Sequence, residues 1–290
     1  MHYIQSENIR VGIKEQGAEL ASIKSLLTGQ EYLWEADSAY WGRHSSILFP
    51  IVGRLKNDQF LMDGKPYSMK QHGFARNTEF EVLDAAKDRI SFQLLYTAED
   101  LKKYPFQYEL QAEYRLEGSQ LRVIYRVFNH DERPMYFSLG AHPAFKCPLK
   151  AGEKRSDYQL IFEQVENAHR HLIENGLRTG ETAMVLDQER ILPIIDDLFE
   201  QDALIFKDLN SDVVSLAHKD GKKVLDFDFS GFPYLGIWSK DETSPFVCLE
   251  PWFGVADHVG DSGNLEQKTG IIELGVEQSF ECEHGVRVYD

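Results

Sequence analysis

Apolar and polar residues alternate with a period of two along much of this chain, and that period constrains its fold more than any other feature. Ile9, Val11 and Ile13 alternate with Arg10, Gly12 and Lys14, and Ile90, Phe92 and Leu94 repeat the pattern. Successive side chains of an extended strand point to opposite faces, so the pattern describes strands with one face buried. Turn signals fall between the runs. Phe60 and Met62 lead into Asp63-Gly64, then Tyr67 and Met69 follow; Asp220-Gly221 precedes Phe227 and Phe229. Asp-Gly readily takes the positive φ that a tight hairpin turn needs. The longest case runs Tyr108, Leu110, Ala112, Tyr114, Leu116, turns at Glu117-Gly118-Ser119 and returns as Leu121, Val123, Tyr125, Val127. It reads as two long antiparallel strands near the middle of a sheet. Helical signals are short: Thr97 to Lys103 before Pro105, and Asp196 to Glu200, each enough for a turn or two.

An all-β fold follows, in one domain spanning residues 1–290, since no linker, low-complexity tract or short repeat interrupts the chain. One open sheet with this many strands would curl, so two or more packed sheets are expected. The net charge of −16 repels phosphate backbones and anionic lipid surfaces, which argues against nucleic-acid and membrane partners. Cys147, Cys248 and Cys282 show neither CxxC nor metal-ligand spacing and read as reduced thiols. The opening MHYIQSENIR has no long apolar run, and no stretch is apolar enough to span a bilayer. A cytoplasmic location is expected.

Four segments place a polar group inside an apolar or aromatic stretch: LFPIVGRLKN around Arg54, MKQHGFARN with His72 and Arg76, YFSLGAHPAF with His142, and FVCLEPWFGVADH with Glu250, Trp252 and Phe253. A carboxylate closing an apolar run is partly buried, and burial raises its pKa toward the range of a general base. A histidine already titrates near neutrality. Blander readings fit the same residues. Gly-Ala-His-Pro around His142 suits a turn, Glu250 before Pro251 suits a strand end facing water, Arg54 suits a structural ion pair, and Trp238 and Trp252 suit a core. No HExxH, GxSxG, Walker-type or GxGxxG motif is present, and no His/carboxylate pair has the spacing of a helical zinc motif.

Taken together, HGFAR, GAHPAF and LEPWFG, in that order, resemble the aldose 1-epimerase (galactose mutarotase-like) superfamily, and within it the LacX-like branch, over nearly the whole chain. The resemblance implies a β-supersandwich with a sugar held in an open cleft on a curved sheet. It implies Glu250 as general base, His142 as general acid, and His72 beside the substrate, orienting it or sharing the acid role. Arg54 would contact sugar hydroxyls. Asp202, in FEQDALIF, best matches the family's substrate-binding aspartate, with Asp196, Asp197 and Asp208 nearby. Trp238 or Phe253 could stack on the sugar's apolar face. No metal, nucleotide or organic cofactor is implied, and a monomer or homodimer is expected.

Two departures bear on the substrate. PIVGRLKND stands where galactose mutarotases carry an Asn-Arg-rich version. The run from His72 to Arg76 is shared with a sugar-phosphate mutarotase branch, and guanidinium groups such as Arg54 and Arg76 suit a phosphate. A hexose-6-phosphate mutarotase is therefore an alternative, as is a non-catalytic sugar-binding protein on the same fold. A glycosidase would need two flanking carboxylates, and only Glu250 stands out.

Overall fold

The computed structural model describes residues 1–290 and is all-β. Its helical content is confined to short 3₁₀ turns, the longest being Asp196–Phe199. The two segments with helical signals each form one such turn, at Asp100–Lys102 and Asp196–Phe199. No helix is long and apolar enough to cross a membrane.

The expected packing of sheets takes the form of one hydrogen-bonded ribbon of 14 strands that folds back on itself. One half runs Ser45–Leu48, Leu139–Lys146, Phe246–Phe253, Tyr234–Trp238, Leu204–Lys207. The other runs Val213–His218, Lys223–Asp228, Ser279–Val288, Gln120–Asn129, Tyr108–Glu117, Arg89–Leu95, Glu81–Ala85. Strand Tyr158–Glu174 belongs to both. Its first residues pair with Val213–His218, and His171 pairs with Ile205 in the other half. Aromatic side chains bridge the halves: Phe145 meets Phe227, Phe49 meets Tyr108 and Phe253 meets Phe280. A core of 62 buried residues, from Ile4 to Val288, fills the space between.

The anticipated hairpins form at Gln59–Met62 with Lys65–Ser68, at Val213–His218 with Lys223–Asp228, and at Tyr108–Glu117 with Gln120–Asn129. The last lies inside the ribbon, between Ser279–Val288 and Arg89–Leu95. It is not the longest. Tyr158–Glu174 and Leu177–Pro193, of 17 residues each, turn at Asn175-Gly176. Both turn residues have positive φ, 52° and 80°, as a two-residue hairpin turn demands. Four register shifts interrupt this pair. Each bulge flips the inside-outside sequence, which erases the period of two that marks the other strands.

The pleat also decides what faces the site. Along Phe246–Phe253, Val247 and Leu249 enter the main core, while Cys248 and Trp252 join small clusters on the other face. Along Leu139–Lys146, Leu139, Ala141 and Phe145 face the core, while Ala144 packs with Cys248 on the opposite face. The two strands pair with Gly140 opposite Trp252 and Ala144 opposite Cys248. That register brings His142 beside Glu250 on the face turned away from the core.

Candidate active site

That face forms the floor of a cavity of about 260 Å³, lined by Arg54, His72, Arg76, His142, Asp202, Trp238 and Glu250 among others. Seven of the eight residues expected at a site thus converge. Phe253 does not. One residue beyond Trp252, it faces the other way and packs on Phe232 and Phe280. The site also includes Trp41, Gln71 and Trp252. Trp41 and Gln71 carry no signal of their own in the sequence. Trp252 does, because a period of two counted from Glu250 puts it on the same face.

His142 Nε2 and Glu250 Oε2 lie 3.2 Å apart, with side-chain exposures of 10% and 2%. His142 sits within a strand, not a turn, and Glu250 is buried in mid-strand rather than facing water. Glu250 Oε2 and His142 Nδ1 have no hydrogen-bond partner in the protein. Burial pushes the Glu250 carboxyl well above the usual carboxylate range, and the Asp202 charge adds to it. The Trp252 indole N–H, without a full hydrogen bond, pulls weakly the other way. Burial holds His142 down at about 3, helped by the Arg76 and Arg43 charges. Each environment disfavours the charged form. Both shifts favour the uncharged forms, a carboxylic acid beside a neutral imidazole.

The Trp252 indole packs on two strand positions that have no side chains. A Cβ on Gly140 would come within 2.6 Å of the indole, and one on Gly236 within 2.7 Å. Glycine is required at both strand positions so that the ring can lie flat.

His72 is fixed differently. Its φ of 66° is rare for a residue with a side chain. Reciprocal bonds hold it: His72 N–H donates to Gly53 O at 2.9 Å, and Gly53 N–H donates to His72 Nδ1 at 3.1 Å. With a backbone N–H aimed at Nδ1, that nitrogen must stay a lone pair, so the ring carries its proton on Nε2. Burial and the nearby His142, Arg76 and Arg43 lower its pKa in agreement. His72 is thus a fixed neutral ring whose Nε2 lies 3.2 Å from the Gln71 side-chain amide, and it stands edge-on to His142 with ring centroids 5.8 Å apart.

Arg54 is held by Asp58 through two bonds, of 2.9 and 3.2 Å, and donates to Asn175 O at 3.1 Å on the tip of the long hairpin. Asp202 lies at the lip, exposed, in a left-handed conformation with φ 72°. Arg76 donates to Gln71 O, leaves Nε unpartnered and forms no ion pair. Burial and neighbouring Arg43 lower its pKa to about 10.

His142, Cys248 and Glu250 place potential ligand atoms within 4.8 Å of one another. Cys248 is wholly buried, and burial pushes its thiol well up. A larger cavity of about 570 Å³ lies around Tyr32, Lys146, Lys150, Tyr158 and Lys222. Two of its acids are held by hydroxyl groups, Glu153 by Tyr158 and Asp290 by Thr28 and Tyr32, while Asp220 faces His218 at 3.1 Å in the open. It holds no buried acid–base pair.

Residues 2–271 match the family model described as aldose 1-epimerase. Protein LacX, chromosomal, of Lactococcus lactis subsp. lactis is 36% identical over 280 residues, covering 93% of each chain. A galactose mutarotase related enzyme from Lactobacillus acidophilus superposes with a TM-score of 0.95 at 34% identity, over 100% of this chain and 97% of that one. A galactose mutarotase-like protein from Lactobacillus casei ATCC 334 gives 0.94 at 34% identity, over 100% of both. The chain belongs to the aldose 1-epimerase family, is similar to the LacX proteins, and has the galactose mutarotase-like fold.

Proposed function

We propose that this protein is an aldose 1-epimerase that interconverts the α and β anomers of an aldohexose by acid–base ring opening. The observation that carries the reading is the buried His142–Glu250 pair, 3.2 Å apart on the cavity floor, with polar atoms free of internal partners.

Ring opening breaks the bond between C1 and the ring oxygen and turns the anomeric C1–OH into a carbonyl. One proton leaves the anomeric hydroxyl and one arrives on the ring oxygen. Glu250 as carboxylate takes the first, and His142 as imidazolium supplies the second. Rotation about C1–C2 and reclosure with the roles exchanged give the other anomer. The pair needs only one proton of its own. If that proton starts on Glu250, the carboxylic acid protonates the ring oxygen and the imidazole receives the hydroxyl proton. The acid–imidazole form of the pair is therefore competent as well. Each group typically contributes about 10²–10⁴-fold, and a fixed sugar adds to that. His72 acts as a hydrogen-bond donor that orients the sugar. Asp202 and Arg54 reach its hydroxyls from the lip, and Trp238 offers an aromatic wall.

The test is the optical rotation of freshly dissolved α-D-glucose and α-D-galactose with and without protein. Faster equilibration supports the reading, and saturable binding without acceleration contradicts it. A second reading, a phosphorylated aldose, is favoured by the two guanidinium groups of Arg76 and Arg43. They repel one another and are bonded to neutral oxygens only, Arg76 to Gln71 O and Arg43 to Asn77 Oδ1, on a protein of charge −16. Under that reading Arg76→Ala lowers kcat/KM for glucose 6-phosphate at least about tenfold, the scale of a charge-assisted contact, and leaves glucose unaffected. Equal loss on both sugars removes it.

A further inference from the structure

Trp41 comes from the loop before Ser45–Leu48 and lies flat on the His142 imidazole, with ring centroids 4.7 Å apart and planes 25° from parallel. It is clamped there. Trp238 stands edge-on to it at 5.9 Å, Phe246 stacks at 5.8 Å, and Trp34 Nε1 donates to its backbone carbonyl at 2.9 Å. Trp238 also stands edge-on to His142 itself, at 5.7 Å and 83°.

We propose that Trp41 is a positioning residue whose indole covers one face of His142, keeps water from the ring and holds its edge toward Glu250. This rests on the mutarotase reading of the same site.

The groups that face His142 are Glu250 and Cys248 from the neighbouring strand, His72 from its loop, Arg76 from the turn Ala75–Asn77, and Arg43 from the segment that bears Trp41. Covering the ring has two opposed effects. An aromatic face attracts the imidazolium, while exclusion of water favours the neutral ring. Burial is the largest cause of the depression of His142 to about 3, and the two arginines reinforce it. Exclusion of water therefore wins. The cover keeps the imidazole neutral, ready to receive a proton, and leaves the pair's own proton on Glu250.

The experiment is a ring-nitrogen NMR titration of His142 in the unliganded protein, run beside the pH dependence of kcat/KM for mutarotation. Wild type, Trp41→Ala and Trp41→Phe are compared. In wild type His142 stays neutral to the acid limit of the folded state. Trp41→Ala admits water and raises its midpoint by about one to three pH units, and the acid limb of kcat/KM rises with it. Trp41→Phe stays within about half a unit of wild type, since it restores the cover. The bond from Trp34 ends on backbone and survives either change. If Trp41→Ala melts, Trp41→Gln, which fills more of the space than alanine but gives no aromatic cover, is read for the same shift. A folded variant without the indole whose His142 midpoint and acid limb have not moved overturns the proposal. A midpoint that moves in a protein with no mutarotase activity supports the cover and retires the mutarotase reading instead.

Discussion

The protein buries two acid–base pairs whose acids, Glu250 and Asp257, stand on one stretch of chain, and they are built for opposite ends. Asp257 and Lys268 meet at 2.8 Å with side-chain exposures of 4% and 2%. The second oxygen of Asp257 accepts the Lys56 backbone N–H, and Lys268 also donates to Val255 O. Those bonds, with Asp257 N–H donating to Arg54 O, tie the 53–58 loop to the 255–257 segment and so fix the lip that carries Arg54. Glu250 and His142 are also buried, yet Glu250 Oε2 and His142 Nδ1 are left without internal partners. A buried polar group without a partner is penalised unless something else satisfies it. The saturated pair is a fastener, and the unsaturated pair is a site for a ligand's polar atoms. Burial alone does not mark a catalytic group; unspent hydrogen-bonding capacity beside a cavity does.

The comparison breaks first at Glu250. Glu250→Gln should lower turnover at saturating sugar by about 10²–10⁴-fold while sugar still binds, because the amide keeps the shape but neither gives nor takes the proton. Its thermal midpoint should not fall, since no buried charge is stranded. Asp257→Asn should do the reverse. It leaves the Lys268 ammonium buried without its counter-charge, a loss of about 3–5 kcal/mol in urea unfolding, with turnover per folded molecule kept within a few-fold. If Asp257→Asn abolishes turnover in folded protein, the division between fastener and site fails.

The pH dependence sharpens the contrast. On the proposed mechanism the His142–Glu250 pair works with one exchangeable proton. A second proton adds only as pH falls through the depressed His142 value of about 3, and the first leaves only as pH rises through the elevated value of Glu250. kcat/KM should therefore run flat through the ordinary values of 4.5 for a glutamate and 6.5 for a histidine and fall on the alkaline side. The same shifts act on stability with opposite signs. His142 contributes stability above 6.5 that is lost as pH falls toward about 3. Glu250 contributes stability below 4.5 that is lost as pH rises through its elevated folded value. Limbs of the rate profile at 4.5 and 6.5 would mean that the pair is solvated like surface groups. The smallest effect is expected at Phe253. Phe253→Leu should leave KM within about twofold and cost about 1 kcal/mol of stability, because the ring packs on Phe232 and Phe280 and not on the sugar.

Most of the strand order's raw material was legible, because alternation survives wherever strands pair without interruption. It failed at Tyr158–Glu174, where bulges break the period, although Asn175-Gly176 was a hairpin signal in plain sight. The site was legible as polar residues set in apolar runs, and the family motifs assigned their expected roles. Phe253 was misread for want of counting the pleat from Glu250. Trp41 could not be found that way. Its place on His142 depends on a loop folding over a strand about 100 positions further along the chain, and only tertiary packing shows it. The opposed shifts of the pair were equally hidden, since they depend on burial of both partners together.

The most direct test is the rate of anomer exchange at equilibrium, read by magnetisation transfer between the α and β C1 protons of saturating sugar, for wild type, Glu250→Gln and Asp257→Asn at equal folded concentration. The account predicts rapid exchange with wild type and Asp257→Asn and loss of nearly all of it with Glu250→Gln. Exchange by Glu250→Gln within a few-fold of wild type would remove the His142–Glu250 pair from the chemistry.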